Sequence, residues 1–302
     1  MSQTSLPNLD LEDGFAGGAA PATPTRAADA PAEAEIARYV TLRSDIPRGT
    51  YAVLAVSIFF VLAVLWCVLS YGGFVSSVFL PTPTAVFKAL ATLWRSDLLT
   101  KDLWVSNLRI LTGFALAAVV AIPLGMLAGN VRAVEAALDP FLGFVRYMPV
   151  PAFIPLLMLY TGIGETPKVM VIFIGTVVQM IVMVADVTKQ TPSDLLRAAQ
   201  ALGATRWELF RRVIWPASLP GVIDVCRMNL GWAWTYLVVA ELVAANTGLG
   251  YRILKAQRFL QTDVIFLYLF VIGLLGVASD LLFKVTGRLL FPWTRQRMRS
   301  ES

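Results

Sequence analysis

Histidine is absent from all 302 residues. That absence excludes histidine-ligated metal centres, histidine proton relays and Ser-His-Asp nucleophilic catalysis. Cysteine occurs only at Cys67 and Cys226, both inside apolar stretches, which excludes a structural disulfide framework. Charge is scarce as well. Asp, Glu, Lys and Arg make up 15% of the chain against 57% hydrophobic residues, and mean hydropathy is +0.68. Ordinary soluble domains are not built this way. No G-x-x-x-x-G-K-[ST] occurs, so the chain holds no P-loop nucleotide, and any ATP-driven step needs another polypeptide. No clustered nucleophile and base or metal-ligand set supports a membrane-embedded enzyme.

What is present is a series of long apolar runs. Residues 51–70 and 110–130 are uncharged and long enough to cross a bilayer core of about 30 Å. Residues 147–164 are uncharged but contain Pro149, Pro151 and Pro155, and residues 169–185 are near the minimum length. Residues 221–244 are interrupted by Asp224, Arg227 and Glu241, and residues 264–283 carry Asp280 late. The pattern predicts an all-α polytopic membrane protein of about six transmembrane helices. The net charge of +5 does not read as a nucleic-acid footprint, because its distribution follows the membrane. With the N-terminus inside, 15 of the 25 Lys and Arg lie on the cytoplasmic side, 7 outside and 3 (Arg109, Arg146, Arg227) in or near spans. The positive-inside rule then places both termini in the cytoplasm.

Four regions follow. Residues 1–48, rich in Ala, Pro and Thr at their start, read as a disordered cytoplasmic tail. Residues 49–104 hold the first span and an extracytoplasmic segment, in which Thr84 is expected to cap a short amphipathic helix through Trp94. Residues 105–287 form the main membrane unit, and residues 288–302 a second cytoplasmic tail. Within the main unit, Gly125 and Gly129 make a G-x-x-x-G that lets another helix approach closely, most simply one of the same subunit. Pro123 is expected to bend its helix.

Three prolines within seven positions favour a broken segment at 149–155, and irregular backbone at membrane depth is stable only when buried in protein or lining water. Arg146, Pro149 and Pro151 are therefore candidates for a translocation path, an ordinary kinked packing helix being the other reading. Arg146 is expected about two turns into a helix begun near Pro140. Arg227 follows Asp224 by three residues, so the two share a face and can pair, whether as structural partners or beside a path. Trp232 and Tyr236 fall on one helical face with Trp234 roughly opposite. Glu241 and Asp280, each expected near a helix end, invite a proton-coupled reading.

The most informative polar stretch is residues 191–216, TPSDLLRAAQALGATRWELFRRVIWP. It predicts two short helices broken at Gly203, the first capped by Thr191 with Pro192 at its first position, the second opened by a Thr205/Glu208 capping box. Arg197, Ala198, Ala199, Gly203, Ala204 and Pro216 stand at the spacing of E-A-A-x-x-x-G followed nine residues later by I-x-L-P. This resembles the cytoplasmic coupling loop of ABC importer permeases, with Arg197 for the Glu, Val213 for the Ile and Trp215 for the Leu.

Further segments carry the same resemblance: Leu80-Pro81-Thr82-Pro83, Gly113-Phe114, Ile122-Pro123-Leu124-Gly125 and Arg146 before Pro149. Gly162-Ile163-Gly164-Glu165 with Pro167-Lys168, Ala233-Trp234, Ala240-Glu241-Leu242 and Thr247-Gly248-Leu249-Gly250-Tyr251 complete it. Together they are similar to the permeases of nitrate/sulfonate/bicarbonate (taurine-type) ABC importers. The resemblance implies a type I importer fold, a permease homodimer in the bacterial cytoplasmic membrane, two cytoplasmic ABC ATPase subunits and an extracytoplasmic substrate-binding protein. It implies that ATP and Mg are held by the ATPase partner, with no cofactor in this chain, and that a small solute, a nitrate-, sulfonate- or taurine-like anion, moves inward by alternating access. Arg197, Ala198, Ala199, Gly203, Ala204 and Pro216 would form the ATPase-coupling loop; Arg146, Pro149, Pro151, Arg227, Trp232 and Trp234 are the candidate path. A secondary carrier coupled to ions or protons and acting without an ATPase is the competing class, and the absence of histidine counts against it.

Overall fold

A computed structural model describes residues 48–292, and every regular element among them is helical. The tails expected over 1–48 and 288–302 therefore fall outside the described residues except at Arg48 and residues 288–292. The chain divides at residues 63 and 64 into two units. The described part of the first is the opening portion of helix α1 (Arg48–Tyr71), whose side chains such as Phe59 and Phe60 are exposed all round. A helix apolar on every face and unburied suits hydrocarbon, not water.

In the second unit the last turns of α1 lead to α2 (Pro83–Arg95). Trp66 donates its indole N–H to the Pro81 carbonyl at 3.0 Å and stacks on Phe266. The cap of α2 is Thr82, whose hydroxyl accepts from the Ala85 amide, and not Thr84. Pro83 explains the shift, since its fixed φ and missing N–H suit the first position of a helix.

The core is a helical sandwich of α3 (Leu98–Asn130), α6 (Thr166–Lys189) and α9 (Trp215–Ala244), with α11 (Thr262–Leu290) against α9. A stripe of small residues lets α3 lie against α6. Ala117 and Ala121 are fully buried, and a Cβ on Gly125 would sit 2.7 Å from the Ile181 carbonyl oxygen. A Cβ on Gly129 would meet the Ala185 carbonyl oxygen at 2.6 Å. The G-x-x-x-G thus serves packing within this subunit. Helix α3 continues as one element through Pro123.

Between α3 and α6 the chain is broken. Helix α4 (Arg132–Arg146) runs to a short 3₁₀ turn at Val150–Ala152 and α5 (Phe153–Thr161), the two arms bent by 80°. The break expected from the prolines is present. The start of α4 is not near Pro140, however: the amphipathic run from Arg132 carries the helix through that proline, and Arg146 is its last residue. Helix α9 is followed by α10 (Leu249–Arg258) at a bend of 51°. Among the described residues four helices are long and apolar enough to cross a membrane, six spans if each bent pair is one. The final span is longer than residues 264–283, so Asp280 lies well inside α11 and not near its end.

Candidate functional site

Residues 191–216 form a compact knob. Helix α7 (Ser193–Ala201) starts one residue later than expected, because the Thr191 hydroxyl donates back to the Thr188 carbonyl at 2.9 Å and leaves Pro192 at the cap. The helix ends in a Schellman arrangement: the Ala204 amide donates to Ala199 and the Gly203 amide to Gln200, with Gly203 at φ +84°. Only glycine adopts that conformation without strain. Helix α8 (Arg206–Glu208) opens with the expected capping box, the Thr205 amide donating to Glu208 at 3.0 Å and the Glu208 amide to the Thr205 hydroxyl. The amide and hydroxyl of Thr205 hold the Glu208 carboxyl below its ordinary range. A π-helical stretch, Leu209–Ile214, then feeds directly into α9.

The knob buries Leu209 and Ile214 but leaves Leu202 89% and Trp207 65% exposed. Arg197, Ala198, Gly203 and Pro216 are exposed, and Ala199 and Ala204 half-buried. A rigid polar loop displaying large apolar side chains has the anatomy of a docking surface.

A second feature lies at the break. A cavity of about 170 Å³ is lined by Arg146, Gln179, Trp232 and Tyr236, among apolar side chains of α4, α5 and α6. Pro149 and Pro151 shape the break but do not line the cavity. Trp234, on the opposite face of α9, is buried at 5% exposure, its indole N–H without a partner among the described residues. Arg227 stands elsewhere, paired at 3.4 Å with both Asp224 and Asp280. The structure therefore brings Arg146 and Trp232 together and separates them from Arg227 and Trp234.

At the helix ends remote from the knob, three carboxylates and three cations form a network that is largely buried, with Glu165 exposed. Glu241, fully buried, accepts from the Ser106 hydroxyl at 2.7 Å, Arg109 at 2.7 Å and the Gly250 amide at 2.8 Å. Arg109 also clasps Glu165, which Lys168 meets at 2.9 Å. Asp102 accepts from the Gly248 amide, Arg252 and the Tyr268 hydroxyl. The carboxylates thus satisfy amides at the start of α10 that no helical carbonyl reaches. Glu165, at the entrance to α6, is held down at about 2, mainly by its hydrogen bonds to Arg109. Every oxygen of Glu241 is engaged by donors of this network, an arrangement that fixes three helices and a loop.

Residues 121–296 match the family described as binding-protein-dependent transport system inner membrane component. The chain belongs to this family. The taurine transport system permease of Escherichia coli is 32% identical over 252 residues, covering 82% of this chain and 92% of its own length. A probable ABC transporter permease of Brucella melitensis is 38% identical over 228 residues, 76% of this chain and 92% of its own length. A putative aliphatic sulfonates transport permease of Bacillus subtilis is 32% identical over 233 residues, 77% and 84% of the two lengths. Among solved structures, a methionine ABC transporter in an inward-facing conformation aligns with TM-score 0.54 at 20% identity, over 65% of this chain and 97% of that one. The fold is that of type I ABC importer permeases, and the chain is a membrane-spanning transport subunit.

In this permease, the sequence pointed to the two short helices of the knob and to Tyr236 beside Trp232, but not to Gln179 in the cavity, and it left the network unassembled. Gln179 did offer a signal, as a lone amide in an otherwise uncharged run.

Proposed function

We propose that two copies of this permease form a pore in the bacterial cytoplasmic membrane that imports a small anion of the nitrate, sulfonate or taurine kind. Cytoplasmic ABC ATPases, carrying ATP and Mg, dock on residues 191–216, and an extracytoplasmic binding protein delivers the solute. Closure of the ATPases moves the knob, and α9, continuous with it through the π-helical stretch, carries the motion to the path for alternating access. Both termini then face the cytoplasm. The observation that carries this reading is the knob itself, with its Schellman end at Gly203, its capping box and its exposed Leu202 and Trp207. The relatives named for taurine and aliphatic sulfonates support the choice of cargo class.

The test is reconstitution with the ATPase and binding protein. Gly203→Val forces a β-branched residue into the left-handed region, at a cost of at least about 1–2 kcal/mol. It should insert into the membrane at wild-type level yet lose ATPase copurification and ATP-dependent uptake. Uptake at wild-type rate in that variant, or uptake by the permease without the ATPase, overturns the coupling role.

A further inference from the structure

We infer that the cavity at the α4–α5 break is an oxyanion subsite that takes an anion bearing a short apolar group. The inference rests on the permease reading and deepens it: it assigns residues of the permease, not only of a delivery partner, to the selection of cargo.

Arg146 has no carboxylate within ion-pair distance among the described residues; the contact its guanidinium makes is with the face of Tyr147, 5.6 Å from the ring centroid. Gln179 lines the same cavity with no side-chain hydrogen-bond partner among the described residues. It is the fourteenth of 24 residues in α6, about 20 Å along a helix that rises 1.5 Å per residue. Arg146, the last residue of α4, is exposed at this cavity, and its donors meet no protein counter-charge among the described residues. Chemistry narrows the counter-charge. Guanidinium and amide donors suit an oxyanion with two or more acceptor oxygens. No carboxylate lines this cavity, so an ammonium finds no ionic partner there.

The remaining wall is apolar. Phe153 and Val178 face the cavity beside Trp232 and Tyr236, which leaves room for a hydrocarbon or aromatic contact with the tail of the solute. Tyr236 is held in place by α6, since a Cβ on Gly175 would fall 2.5 Å from its ring. A neighbouring cavity of about 310 Å³ also touches Arg146, but Asp139 lines it and repels an anion. The oxyanion is therefore seated on the Gln179 side of Arg146.

The experiment titrates the purified, nucleotide-free permease–ATPase complex with ethanesulfonate and follows tryptophan emission. A saturable change is expected, one that ethylammonium does not produce and Trp232→Phe removes or strongly reduces. Arg146→Ala should weaken the apparent affinity on the order of tenfold, as expected for loss of a charged hydrogen-bonding group. Arg146→Lys should fall between it and wild type, and Gln179→Leu should weaken it several-fold. The Lys and Leu variants decide the matter if the Ala variant does not assemble. No saturable response in the wild-type complex, an equal response to ethylammonium, or unchanged affinity in all three variants overturns the inference. Such a result in a complex that still couples uptake to ATP leaves the permease reading intact, whereas ATP-independent uptake fails that reading itself.

Discussion

Single residues of this permease show how strongly burial decides meaning. Glu241 in the sequence was a carboxylate near a helix end, open to a proton-coupled reading. In the structure it is a tie point for Ser106, Arg109 and Gly250. The sequence carried the participating motifs, but a contact between residues 132 positions apart has no local signature. Arg109→Ala strands Glu241 in the interior without its cation and should lower the stability of the purified permease by about 3–5 kcal/mol, read as a large drop in melting temperature in detergent. An unchanged melting temperature refutes the tie. Glu165 behaves differently because its side chain is 61% exposed and solvent screens its pairing. Its carboxyl is depressed from 4.5 to about 2 beside Arg109. Its contribution is therefore full above about pH 4.5 and is lost as pH falls through about 2. Between pH 7 and 5 the contribution should stay flat. Glu165→Gln should lack that acid-sensitive part, so the difference in melting temperature between the two proteins should narrow as pH falls from about 5 to 3.

Elements were legible where their signals are local. The Gly203 turn, the Thr205–Glu208 box and the proline break all rest on residues adjacent in sequence, and each stands where the pattern places it. Boundaries were less so. Thr82 and Pro192 hold the caps expected at Thr84 and Thr191: Pro83 takes the first position of α2, and the Thr191 hydroxyl is spent on the Thr188 carbonyl. The start of α4 was hidden by Pro140, a residue that weakens a helix without stopping an amphipathic one. The α3–α6 contact offers a test at this scale. Gly129→Val drives side-chain atoms into the Ala185 backbone and should cost about 1–3 kcal/mol of stability. Gly143→Ala, with nothing within 4 Å of the new Cβ in a helix interior, should be neutral or stabilising by up to about 1 kcal/mol. Equal melting temperatures for the two variants would show that α3 and α6 do not pack as closely as described.

For the whole molecule, charge and hydropathy made the membrane reading and the approximate helix count accessible before any coordinates, because a bilayer imposes length and polarity on every span at once. They did not disclose that two of those spans are bent pairs, since hydropathy averages over a bend. The orientation we propose predicts that tags at the two chain ends report a cytoplasmic location and that one inserted near Ser96 is reached from outside. Protection of the Ser96 tag in intact cells would reverse the arrangement. The start of a helix ordinarily attracts anions, and buried arginines and lysines do so more strongly. Here Asp102 and Glu241 occupy the amides of α10, and Arg109, Lys168 and Arg252 are matched by as many carboxylates. An arriving anion finds these sites already taken by the protein itself. The network is electrically self-satisfied, and so it offers a negatively charged solute no resting place that would compete with the unpaired guanidinium of Arg146.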